Sequence, residues 1–182
     1  MNKKTYAVLL VATLFPFFIS PSMAITPGDD EDSRSSLRDL AGVSVIIRVY
    51  EQEGYLKSLG LDESSLRDDV ESKLRLTGMK VVSKEESHTL RGTPYLYVNI
   101  LVHPVPGGYF LHTSCVELGQ EVLLVSDPSI VMFATTWSGC SLGFGTDKTI
   151  VKQCRQTIKG LVDLFVKAYL SVNPARRPTG DD

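Results

Sequence analysis

The chain has 182 residues, with 19 Lys and Arg against 21 Asp and Glu, for a formal net charge of −2. It has no Lys/Arg stripe, which speaks against a nucleic-acid partner, because phosphates demand clustered positive charge. The length suits one domain with a proper core.

Residues 1–24, MNKKTYAVLLVATLFPFFISPSMA, place Lys3 and Lys4 ahead of an apolar run from Tyr6 to Ile19, then Ser22 and Ala24. That is the plan of a secretory signal peptide cut after Ala24. The run is shorter than the roughly 20 apolar residues of a membrane span, so no integral span is expected after cleavage; retention as an uncleaved anchor is the alternative. Ile25, not a lipid-bearing cysteine, follows the cut. The expected location is the periplasm or the exterior. Residues 25–36, with the acidic run Asp29–Asp32, read as a disordered leader too polar to offset its ordering entropy. Residues 175–182 read as a disordered tail, leaving 37–174 as a single α+β domain.

GVSVIIRVYE, from Gly42, sets Val43, Val45, Ile47 and Val49 on one side and predicts the first strand. Leu66, Val70 and Leu74 recur every fourth residue, with Asp62 to cap the helix and Gly78 to end it. MKVVS, residues 79–83, predicts a short strand, and Ser83 with Glu86 a capping box. Three long strands follow. In PYLYVNILVHP, Leu96, Val98, Ile100 and Val102 face one way and Tyr95, Tyr97, Asn99, Leu101 and His103 the other. A three-residue loop at Pro106–Gly108 sets Val98 beside Val116 and Leu96 beside Leu118. A four-residue loop at Ser126–Ser129 sets Leu118 beside Trp137 and Val122 beside Phe133. Both registers share one apolar face, which a one-residue slip would invert. From Lys148 to Val172 a helix capped by Thr146 or Asp147 presents a wide stripe that includes Ile150, Cys154, Ile158, Phe165 and Val172. The expected fold is a two-layer α+β sandwich: a mainly antiparallel sheet with two amphipathic helices on one face, in the order β-α-β-β-β-β-α.

Three cysteines in an oxidising compartment leave one over. The four-residue loop puts Cys115 directly across from Cys140, away from the helices. A turn with Pro128 at its first corner makes them diagonal neighbours instead. Cys154 falls on the core stripe of the last helix.

GCSLG, Gly139–Gly143, fits the G-x-S-x-G pattern of serine hydrolases. A nucleophile elbow needs a strand-to-helix turn and an acid and histidine later in the chain. Here His88, His103 and His112 all precede Ser141. No catalytic set, metal set or cofactor motif is therefore read; His103 and His112 point to opposite faces, and Glu117 and Glu121 read as solvated strand acids. The Gly143–Asp147 turn before the last helix could meet an anion, but reads first as an N-cap. The face away from the helices mixes Tyr95, Tyr97, Leu101, Met132, Leu142 and Phe144 with Asn99, Thr113, Glu117 and Ser138. Such mixing suggests a recognition surface.

The runs PYLYVNI, VELGQEV and FATTWS resemble those of small exported bacterial proteins without an assigned activity. In element order alone the chain is similar to periplasmic α/β domains such as the TolB N-terminal domain and the curli-secretion lipoprotein, a likeness that implies roles in assembly and protein contact. The expectation is a non-catalytic protein-interaction or assembly module of the cell envelope, its partner an envelope protein or a second copy in a homodimer. The alternatives are a small-ligand binder using the sheet face or the Gly143–Asp147 turn and, more remotely, a serine hydrolase at Ser141.

Overall fold

The computed structural model describes residues 24–51 and 54–174. The elements run β1 (Ala24–Gly28), α1 (Glu31–Ser35), β2 (Ser44–Tyr50), α2 (Tyr55–Ser58), α3 (Glu63–Leu76), α4 (Lys84–Ser87), β3 (Tyr95–Val105), β4 (Tyr109–Leu124), β5 (Asp127–Thr146) and α5 (Ile150–Val172). The fold is α+β. Its sheet has the order β1-β5-β4-β3-β2. Among the strands of the described residues only β2 and β3 pair in parallel, because the helical crossover between them carries the chain back to the same end. The signal segment up to Met23 and the tail 175–182 lie outside the described residues.

Alternation decides which side of the sheet is dry. Val45 and Ile47 of β2, Leu96, Val98, Ile100 and Val102 of β3, and Val116 and Leu118 of β4 are buried on one face. Helices α3 and α5 cover that face. Helix α3 contributes Leu66, Val70 and Leu74 at the expected four-residue spacing. Its cap Asp62 accepts from Ser65 N at 2.9 Å, and Gly78 ends it at φ +81°, a left-handed conformation that costs glycine little. Helix α5 buries Ile150, Cys154, Ile158, Leu161 and Phe165. The Phe165 ring meets Trp137 edge-on, with centroids 5.2 Å apart, a favoured geometry for aromatic quadrupoles.

The predicted pairings Leu96–Leu118 and Val98–Val116 are present, as are Leu118–Trp137 and Cys115–Cys140. Four other expectations are corrected. The supposed disordered leader is ordered: β1 pairs with β5, and α1 starts with a capping box between Asp30 and Ser33. The Arg34 guanidinium grips Asp29 at 2.8 and 2.7 Å, and the Trp137 indole N–H donates to it at 3.0 Å. Arg34 first, and then Trp137, hold the Asp29 carboxyl below its usual range. The acidic run thus supplies caps and anchors instead of a solvated tail.

MKVVS forms no strand. It makes one parallel bridge, Val43 with Val81, before Ser83 caps α4; two capping signals only five residues apart leave no room for a ladder. The α5 cap is Thr149, not Thr146 or Asp147. Thr149 Oγ1 accepts from Thr146 N at 3.0 Å, and Asp147 spends its oxygen on Lys148 N at 2.7 Å.

The fourth correction concerns β5, which closes its hairpin on β4 with a two-residue turn at Val125–Ser126, Leu124 opposite Asp127, and not with a four-residue loop at Ser126–Ser129. Its register slips by one residue between Leu118–Trp137 and Gly119–Thr135, leaving Thr136 as the extra residue of a β-bulge. The Gln120 amide donates to Thr136 Oγ1 at 2.8 Å and to Ser36 O at 3.2 Å. Beyond the bulge Val122 faces Met132 and Glu121 faces Phe133, so the pairing of Val122 with Phe133 does not occur. Met132 lies on the helix side of the sheet and Phe133 on the open side, the reverse of the expected placement. At Gly119 an added Cβ would fall 2.2 Å from the Tyr95 ring; the ring lies over the glycine, and Phe133 joins it at 5.8 Å.

Candidate functional site: the open sheet face

The face away from α3 and α5 is assembled by alternate residues of four strands. Strand β3 presents Tyr95, Tyr97, Asn99 and Leu101, and β4 presents Tyr109, Leu111, Thr113, Cys115 and Glu117. Leu142 and Phe144 come from β5, and Tyr50 from β2. Leu101 is 53% exposed, Leu142 48% and Phe144 53%. Thr113 faces Leu142, and Leu111 faces both His103 and Phe144. Tyr109 stacks on Phe144 with ring centroids 5.0 Å apart. An apolar cluster therefore occupies one corner, where the hairpin at Gly107 and Gly108 closes.

The opposite side of the face is more polar. The Tyr50 and Tyr97 hydroxyls lie 3.3 Å apart, and that hydrogen bond, then burial, pushes the Tyr97 phenol up to about 12. Tyr97 faces Glu117 across the ladder. Between the two regions Cys115 and Cys140 form a disulfide. Residues directly opposite in an antiparallel pair approach closely where no ladder hydrogen bond intervenes, and here the Cα atoms are 4.1 Å apart. Asn99 Oδ1 is shielded in the middle of the face with no hydrogen-bond partner among the described residues.

Of the expected contact residues, Tyr95, Tyr97, Leu101, Leu142 and Phe144 share this face; Met132 does not. Tyr50, Tyr109 and Phe133 belong to it and were missed. Tyr50 and Tyr109 obey the alternation of their strands and were legible in it. Phe133 was not, because the bulge inverts its side.

Ser141 sits mid-strand on the other face, 4% exposed, and pairs with Ser114 of β4 and Ala24 of β1. This is not the strand-to-helix turn of a nucleophile elbow. The nearby His112 is buried as well, and its Nδ1 lies 3.1 Å from Ser114 Oγ. Burial alone holds the imidazole pKa below its ordinary value. The glycines of the motif have a packing role: a Cβ at Gly143 would fall 2.1 Å from His112 Nε2, and one at Gly145 would fall 2.0 Å from Gln153 Oε1. The Gly143–Asp147 segment is thus filled by the protein's own side chains. Cys154 is buried in the core as an unpaired thiol, its pKa raised to about 12 by desolvation. Among the described residues no group of His, Cys, Asp or Glu is placed to hold a metal ion, and no helix is long and apolar enough to cross a membrane.

Compared with known protein families and with curated proteins, the chain matches none.

Proposed function

We infer that the chain is an exported protein-interaction module of the cell envelope, and that its contact surface is the open sheet face. The observation that carries this reading is the exposed apolar corner of Leu101, Leu111, Leu142 and the stacked Tyr109–Phe144 pair. Contiguous exposed apolar surface of this kind marks contact sites, and aromatic residues ringed by polar ones are typical of interface centres. The Cys115–Cys140 bond supports an oxidising compartment, where such links persist.

The test is site-specific photo-cross-linking in intact cells. A photoreactive residue at position 142 or 101 should give adducts with a second protein. The same residue at position 152, on the outer side of α5, should give none. Adducts from position 152 alone, or from no position, would remove the open face as the contact surface. In the expected case, the paired change Leu101→Asp and Leu142→Asp abolishes the adduct while the protein keeps its folded spectrum.

A further inference from the structure

We propose that the outer edge of β5 beyond the bulge is a self-association strand, which pairs antiparallel with the same strand of a second copy about a two-fold axis at Met132. From Gln120 to Thr135 the β4–β5 hairpin projects past the rest of the sheet as a two-stranded arm. Its ladder is apolar on both faces: Leu123 pairs with Val131 on one and Val122 with Met132 on the other, and Leu123, Val131 and Met132 are exposed. A two-stranded ribbon is marginal by itself in water, whereas four strands sharing apolar faces are not. Joining two arms edge to edge makes that four-stranded sheet.

The edges of the molecule are treated differently. On β2 the outer edge is plugged: Glu63 Oε1 accepts from Val49 N at 3.3 Å, Arg67 donates to Val45 O, and Val43 bonds Lys80 and Val82. On β4 the arm carries Glu121, whose N–H donates to Gly92 O at 2.8 Å. The β5 edge has neither device. Strand β1 leaves it after Ser138, and beyond that point Ser36 Oγ donates to Thr136 O at 3.3 Å. Edges left without charge, proline or cover are templates for another strand.

The second copy is the occupant whose charge fits. Between Asp127 and Asp147 no residue is charged, so two copies meet without repulsion. No Lys or Arg occurs between Arg91 and Lys148, which disfavours an anionic lipid surface. The turn itself, Val125–Ser126, is followed at once by Asp127 opposite Leu124, a carboxylate that any bilayer would have to take in with the tip. A two-fold axis normal to the sheet keeps every residue on its own face. The regular free segment begins at Val131, past the irregular stretch 128–130, in which the Ser129 N–H is spent on Asp127 Oδ1 at 3.1 Å. Centred on Met132, the pairing sets Val131 opposite Phe133 on the open face. An aromatic opposite a β-branched residue is a favourable cross-strand pair. The edge contact is smaller than a standard interface of about 800 Å² per partner, so the dimer is reversible on dilution.

Sedimentation velocity on the full chain over a hundredfold concentration range tests this. The wild type is expected to pass from monomer to dimer. Met132→Lys and Met132→Glu, each placing like charges face to face, are expected to weaken dimerisation at least tenfold, and an equimolar mixture of the two restores it. A wild type monomeric throughout, a Met132→Lys protein that dimerises like wild type, or a mixture that stays monomeric overturns the proposal. The paired Leu101→Asp and Leu142→Asp change separates this from the open-face reading. It leaves the dimer intact if the arm is responsible; loss of the dimer there, with Met132→Lys unaffected, assigns association to the open face and sinks the arm.

Discussion

The two faces of the sheet come from the same strands, residue by residue, yet they answer to different demands. On the helix side Trp137, Val116 and Leu118 are sealed under α5, where each methylene counts toward stability. On the open side Leu142, Phe144 and Leu101 stand half in water and contribute little to folding. The comparison teaches that, between the bulge and the β3–β4 hairpin, alternate positions of β4 and β5 are separable: stability can be read from one set and the open-face contact from the other.

The largest expected effect tests the sealed side. Trp137→Ala removes the aromatic contact with Phe165 and the indole bond to Asp29, and should cost about 3–5 kcal/mol in urea denaturation, the usual range for a buried aromatic. A loss below about 1 kcal/mol would mean that the core face tolerates truncation as the open face does. Next comes the cross-link that lies on the open face but serves the fold. With a sequence separation of 25 between the two cysteines, the double change Cys115→Ser and Cys140→Ser should cost roughly 2–4 kcal/mol in the chain-entropy account. An unchanged denaturation midpoint would remove the disulfide from the folding energetics.

A third measurement sharpens the contrast through pH. His112 is buried on the helix side and its folded pKa is depressed by desolvation. The fold therefore favours the neutral ring. Its stabilising contribution is complete above the unfolded value of about 6.5 and is lost as pH falls below it toward the folded value. Between pH 7.5 and 5 the wild type should lose more stability than His112→Gln. Equal losses would show that some other group carries the dependence. The smallest effect belongs to the open side: Leu142→Ala should change stability by no more than about 0.5 kcal/mol, measured by the same denaturation.

The core stripe of α5, the capped and glycine-terminated α3, and the β3–β4 pairing through Leu96–Leu118 were legible, because alternation and the three-residue loop constrain one another there; Leu118–Trp137 is present although the loop it was read from is not, since two register shifts in β5 offset the shorter turn. What escaped had non-local causes. Asp29 looks like part of a solvated acidic run, and only Trp137, 108 positions away in sequence, gives it an indole to accept from. The inversion of Met132 and Phe133 depends on the Gln120 amide and on the Tyr95 ring lying over Gly119. No periodicity in β5 announces such contacts. The open face itself was mostly readable, since Tyr95, Tyr97, Leu101, Leu142 and Phe144 all lie on the near side of the bulge.

That bulge makes Gln120 a selector. If the surplus residue were accommodated at the hairpin turn instead of at Thr136, every side chain from Thr135 back to Val131 would exchange sides. Phe133 would then lie with the sealed side's residues and Met132 with the tyrosines. One amide, bridging Thr136 and the carbonyl of Ser36, keys the arm to a single display out of two that the chain could spell.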